Sequence, residues 1–245
     1  MKKRRLFSDT ENRDPPDIDL TKLPAQGLLK TRDLQGPQDA KPWKEVLIVL
    51  AVDILLLAVK DCEFLSCVSH LNEGYFRSSH DKLGTVYFGQ MGTGPTLKIA
   101  VMKCYSGPLA PGVPLITVTN GVKELRPKAV FSVGFCGGLD QKVSLGDVAI
   151  LAKLRTYSSV KVTDSGIQER GIAVPLERNL LSLINHADNG WKAPLRGYWE
   201  VKVWKDGVYL RGPEKVESEE RREELVKRFP DAIAIEIEGQ GENVA

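Results

Sequence analysis

Three short segments of this 245-residue chain place chemically capable residues at usable spacings. The first is Lys60, Asp61, Cys62 and Glu63, just after the apolar run 52–59. An acid at the carboxyl end of a strand, opening a helix, is placed to hold a water or donate a proton. It is equally a favourable charge in a first helical turn. The second is Ile235-Glu236-Ile237-Glu238-Gly239. Side chains alternate along a strand, so Glu236 and Glu238 share one face, about 7 Å apart, with Ile233, Ile235 and Ile237 on the other. Such a pair can accept sugar hydroxyls, since each carboxylate takes two O–H donors; an ordinary solvated strand face has the same pattern. The third is Cys136-Gly137-Gly138-Leu139, following the apolar run 129–135. Glycines just past a buried strand let backbone amides approach a ligand, and they also make tight turns.

Other arrangements lead nowhere. Ser69 and His70 are neighbours in sequence, which do not face each other on a helix, and no GxSxG elbow is present. The loop 106–112 lacks the GxxxxGK[ST] order, and Pro108 and Pro111 remove amide donors. Cys62, Cys67, Cys104 and Cys136 form no CxxC pair, and the three histidines are scattered, so a zinc site has no ligand spacing. So few cysteines point to a reducing compartment rather than a disulfide framework. Lys and Arg (34) nearly balance Asp and Glu (32), which excludes the basic footprint of a nucleic-acid binder. Trp199 and Trp204 sit in an alternating, hairpin-like segment that reads as packing rather than a stacking platform.

The elements that would position these residues alternate along the chain. Strands are expected over 52–59, 85–91, 98–104, 129–135, 146–152 and 232–238. A helix is expected to open at Glu63, another spans 113–125 before Arg126-Pro127, and a charged amphipathic one spans 216–229 before Pro230. Apolar runs with helices between them predict an α/β layer fold with a largely parallel sheet. Residues 1–45 differ: five prolines, 10 basic and 8 acidic residues, and no apolar periodicity. They read as a disordered leader, with the folded domain over 46–245.

The basic start Lys2–Arg5 is followed by Leu6-Phe-Ser-Asp-Thr-Glu and not by an apolar core, so it is no signal peptide. It has the composition of a weak nuclear-localisation signal, although a solvated end explains it more simply. The apolar run 46–59 has 14 residues and contains Asp53, short of the ~20 needed to span a membrane. A soluble, cytoplasmic protein is expected.

Taken in order, four segments resemble the nucleoside phosphorylase / methylthioadenosine–S-adenosylhomocysteine nucleosidase superfamily. They are the strand 52–59 leading to Glu63, Pro127-Lys-Ala-Val-Phe-Ser-Val-Gly-Phe-Cys-Gly-Gly-Leu139, Leu145-Gly-Asp-Val148, and Phe229-Pro-Asp-Ala-Ile-Ala-Ile-Glu-Ile-Glu-Gly239. The resemblance covers roughly residues 46–245. It implies a three-layer α/β/α sandwich with a twisted, mixed, largely parallel sheet. It also implies hydrolysis of the N-glycosidic bond of a purine nucleoside: methylthioadenosine or S-adenosylhomocysteine, adenosine, or an adenine nucleotide. On that pattern Glu63 holds the attacking water. Phe135, Cys136 and Gly137 line base and ribose, Ile237 stands for the family's methionine as an apolar wall, and Glu238 accepts the ribose hydroxyls. Ile for Met keeps similar volume; Phe135 adds bulk where relatives carry a small or hydroxyl residue. The family's leaving-group aspartate lies on a further strand. The sequence ends at Ala245, seven residues after Glu238, so no residue carries over to that role and the domain reads as C-terminally incomplete. Neither metal nor cofactor is implied; a homodimer is the assembly such relatives suggest. The alternative is a non-catalytic nucleoside-sensing or interaction module. No arginine flanks Ser106-Gly107 or Cys136-Gly137 in sequence to clamp phosphate, which favours hydrolysis over phosphorolysis.

Overall fold

The computed structural model describes residues 52–104, 113–139, 143–158, 160–164, 166–169, 171, 173–193, 201–212, 214 and 216–236. The leader expected over 1–45, the loop 106–112, Ile237 and Glu238 lie outside the described residues. The chain divides into two units, the first ending at Gly134 and the second beginning at Phe135.

In the first unit the elements are β1 (Ile54–Ala58), α1 (Asp61–Ser69), β2 (Phe76–His80), β3 (Gly84–Met91), β4 (Leu97–Lys103), α2 (Val113–Leu125) and β5 (Ala129–Ser132). They build a five-stranded sheet in the order β2-β3-β4-β1-β5, with β1 parallel to β4 and β5 and the β2-β3-β4 meander antiparallel. The run Ile-Leu-Leu-Leu-Ala of β1 suits a central strand covered on both faces. Leu55, Leu57, Val86, Phe88, Ala100 and Met102 pack with Leu125 of α2 on one face. Ala58, Tyr87, Ile99 and Val101 pack with Phe64, Cys67 and Val68 of α1 on the other. Helix, sheet and helix thus form three layers.

Asp53 sets the common start of the parallel strands. Its Oδ2 accepts the Lys98 N–H at 2.9 Å, and its carbonyl accepts the N–H groups of Lys128 and Ala129 at 3.0 and 3.1 Å. The strands therefore finish together: Cys104 N–H donates to Ala58 O at 2.7 Å and Val133 N–H to Leu57 O at 2.8 Å.

The second unit contains β6 (Gly137–Gly138), β7 (Val148–Thr156), β8 (Val160–Thr163), β9 (Gly166–Glu169), β10 (Ala173–Pro175), α3 (Arg178–Ile184), β11 (Val203–Arg211), α4 (Glu219–Arg228) and β12 (Ala232–Glu236). Its sheet runs β10-β7-β11-β12-β6, parallel through β7, β11 and β12, with antiparallel strands at both edges; β8 and β9 form a separate pair. Leu139, Tyr157, Val208, Leu210, Leu225, Phe229 and Ile235 make its core.

The α/β class with mixed sheets is as expected, but the strands divide between two five-stranded sheets rather than one, each with as many antiparallel as parallel pairings. β2 and β11 are strands beyond those expected. The strand expected over 129–135 ends at Ser132, and its glycine pair is a two-residue strand rather than a tight turn. The last helix starts at Glu219 because Ser218 Oγ caps it by accepting the Arg221 N–H. Trp204 belongs to β11, which pairs in parallel with β7 and β12 and not in a hairpin; Trp199 lies outside the described residues. On β12, Ala232, Ile233, Ala234 and Ile235 are all buried.

Candidate active site

Glu63 is fixed by the turn that joins β1 to α1. Lys60 is the N-cap of α1, with extended backbone (φ −89°, ψ 155°), and Glu63 is the third residue of the helix. Its side chain turns back so that Oε2 accepts the Lys60 N–H at 2.8 Å and the Val59 N–H at 3.0 Å. A glutamate at this position reaching the N-cap amide is half of a capping box, and both bonds are charge-assisted. Glu63 is 8% exposed. A buried carboxylate is thereby held in one orientation beyond the aligned carboxyl ends of β1, β4 and β5, where open α/β sheets take ligands.

Asp61, the neighbouring acid, has a different fate. Its Oδ1 meets Lys103 Nζ at 2.5 Å and its side chain is mostly exposed. One helical turn beyond Glu63, burial pushes the Cys67 thiol up to about 11, with the Glu63 charge adding to the effect. Sequence reasoning missed one neighbour entirely. Gly134, two residues past β5, stands against the Glu63 carboxylate: a Cβ there would lie 3.2 Å from Oε1. The glycine is visible in the motif, but only the parallel register of β5 on β1 shows what it faces.

The second unit gathers Cys136 and Gly137. The pair Gly137–Gly138 adds antiparallel to β12, with Gly137 opposite Ile235 and Gly138 opposite Ala234, and Leu139 N–H donates to Ile233 O at 2.8 Å. Cys136 Sγ lies 3.9 Å from the Tyr209 hydroxyl, which itself donates to Ala149 O at 2.5 Å. Tyr209 of β11 thus steadies Cys136, a role no sequence pattern signals. Phe135 is 72% exposed.

The Leu145-Gly-Asp-Val148 motif is explained by Asp147. Its carboxylate accepts the N–H groups of Ser144 and Lys202 and the indole N–H of Trp204, each at 3.0 Å. It tightens the turn before β7 and holds the start of β11. The fold also brings Arg222 of α4 to Leu139, donating to its carbonyl at 3.3 Å. An arginine therefore stands near the glycine strand, 83 residues away in sequence, where it donates to a backbone carbonyl. Of the expected site residues, Glu63 belongs to the first unit and Phe135, Cys136 and Gly137 to the second.

A model of the phosphorylase superfamily matches residues 67–244. The chain belongs to the phosphorylase superfamily. Glu63 lies just ahead of the matched span, and the glycine strand, Asp147 and β12 fall within it. The superfamily chain is 31% identical over 176 residues to a death domain-containing ATP nucleosidase of Amphimedon queenslandica, covering 64% of this chain and 32% of that protein. It is 23% identical over 148 residues to a 5′-methylthioadenosine/S-adenosylhomocysteine nucleosidase of Desulfotalea psychrophila, 58% of each. The chain thus spans about a third and somewhat over half of these relatives' lengths. Among solved structures, a nucleosidase of the latter name from Colwellia psychrerythraea, in complex with adenine, superposes with a TM-score of 0.60 at 17% identity over 78% of this chain and 74% of that one. A futalosine hydrolase mutant of Helicobacter pylori gives 0.56 at 20% identity, covering 78% and 81%. These neighbours establish the fold. No helix among the described residues is long and apolar enough to cross a membrane.

Proposed function

We propose that the chain carries a phosphorylase-like domain over residues 46–245 that binds a purine nucleoside or nucleotide and hydrolyses its N-glycosidic bond. The observation that carries the reading is the Glu63 carboxylate, buried and clamped through one oxygen by two backbone amides at the strand exits. A carboxylate held in one orientation needs no reorganisation as charge shifts in the reaction, the condition for an effective catalytic group.

In this mechanism Glu63 orients a water toward the sugar carbon C1′. The water oxygen bonds to C1′ as the bond to the purine nitrogen breaks. The bonding pair leaves with the base, and the proton of the water passes to Glu63. Such positioned proton transfer contributes roughly 10²–10⁴-fold. Phe135, Cys136 and Gly137 line base and ribose, Ile237 supplies an apolar wall, and Glu238 accepts the 2′- and 3′-hydroxyls and stabilises the oxocarbenium-like transition state. Relatives named as nucleosidases of ATP and of methylthioadenosine or S-adenosylhomocysteine support hydrolysis and an adenine-bearing substrate.

The test is adenine release by the full chain, followed chromatographically with methylthioadenosine, adenosine and ATP as separate substrates. Release from at least one of them, reduced at least about 100-fold by Glu238→Ala and by Glu63→Ala, is expected. Release that neither substitution alters, or none from any of the three, overturns the proposal.

A further inference from the structure

Gly134 has no conformational reason to be glycine. Its backbone is outside the left-handed region, unlike that of Gly74, Gly84, Gly92 and Gly146. Nor does a packed core exclude a side chain, because the residue is exposed. What a side chain would meet is the Glu63 carboxyl group. The three nearest atoms to an added Cβ are Oε1 at 3.2 Å, Cδ at 3.5 Å and Oε2 at 3.6 Å, all of Glu63. The carboxylate cannot swing aside freely, since Oε2 is bonded to the amides of Val59 and Lys60 at 3.0 and 2.8 Å. A methyl group at 134 therefore forces a displacement of Glu63, of the β5 exit, or of both.

We propose that Gly134 is a positioning residue for Glu63. Its missing side chain lets the chain leaving β5 close over the carboxylate while both amide bonds are kept. The inference rests on the nucleosidase reading of Glu63 and adds the residue that sets where that carboxylate stands. Misplacing a catalytic group by as much as 1 Å costs about 10²-fold. The few tenths of an ångström required here then correspond to roughly fourfold.

The experiment is a double-mutant cycle on the full chain with two readouts. In adenine release from the best nucleoside substrate, Gly134→Ala is expected to lower kcat about fourfold with KM within about twofold. In the Glu63→Gln background the same change is expected to lower the residual kcat no further. In urea denaturation, Gly134→Ala lowers the midpoint of the wild type but not that of Glu63→Ala, whose side chain leaves room for the methyl group. Equal losses in both backgrounds, by either readout, overturn the positioning role. A wild-type chain that releases no adenine overturns the nucleosidase reading instead, and the denaturation cycle still decides whether Gly134 is matched to Glu63.

Discussion

Gly207 offers a direct physical test of the second sheet. It is buried in β11 where the register against β7 shifts, and its missing side chain is covered by Ile233 of β12. A methyl group at 207 would overlap Cγ1 and Cδ1 of Ile233, whereas the Ile233 Cβ would be 3.5 Å away, an ordinary contact. Ile233 is 8% exposed, so it has no open solvent to retreat into. Gly207→Ala must then force an off-rotamer side chain or push the strands apart, an overpacking cost of roughly 1–3 kcal/mol. In a fold of this size each 1 kcal/mol lowers Tm by about 2–4 °C, so a fall of roughly 2–12 °C is expected by scanning calorimetry. Ile233→Ala alone costs roughly 2–5 kcal/mol through its cavity. It keeps only the Cβ, so adding Gly207→Ala to it should cost nothing more. An unchanged Tm in Gly207→Ala, or the same decrement with Ala at 233, refutes the reasoning.

Two predictions concern titration. Burial, aided by Glu63, raises the Cys67 thiol to about 11, so it stays protonated and unreactive at pH 8. Iodoacetamide on the native protein should label the exposed Cys62 and Cys136 and spare Cys67, as peptide mass spectrometry would show; equal labelling of Cys67 and Cys62 contradicts this. Because its folded value lies above the unfolded one, the stabilisation linked to this thiol is complete below the ordinary thiol range and is lost as pH rises toward 11. Asp53 behaves oppositely. The Lys128 ammonium at 2.7 Å, then the Lys98 amide, hold its carboxyl below the usual carboxylate range. The stability it confers is present above the ordinary carboxylate value and lost as pH falls through the depressed one. Urea midpoints from pH 7 to 2 should fall on the acid side, and Asp53→Asn should flatten that limb; an unaltered limb contradicts the role.

Elements set by a continuous apolar run or a capping residue could be read from the chain, because those signals are local. The strand leading to Glu63, the helix Val113–Leu125 and the strand before Cys136 are of this kind. What stayed hidden depends on register. Asp53 looked like an interruption in an apolar run and is in fact the tie that aligns three strands. Gly137–Gly138 has the composition of a turn, but pairing with β12 makes it a strand. Gly134 reads as one more glycine until β5 is laid beside β1, and Arg222 reaches Leu139 only through the packing of α4. Among the expected site residues, the types of Glu63 and Cys136 are legible. Their holding groups, the Val59 and Lys60 amides and the Tyr209 hydroxyl, are not.

The central claim is that the buried Glu63 carboxylate performs hydrolysis and does more than cap a helix. Glu63→Gln separates the two roles, because the amide oxygen can still accept from Val59 and Lys60 while the base is lost. The deciding measurement is the kcat for adenine release from methylthioadenosine or ATP by the wild type and by Glu63→Gln, with Tm recorded on the same samples. A fall of roughly 10²–10⁴-fold with Tm nearly unchanged is expected. Equal release by the two proteins would contradict this role of Glu63.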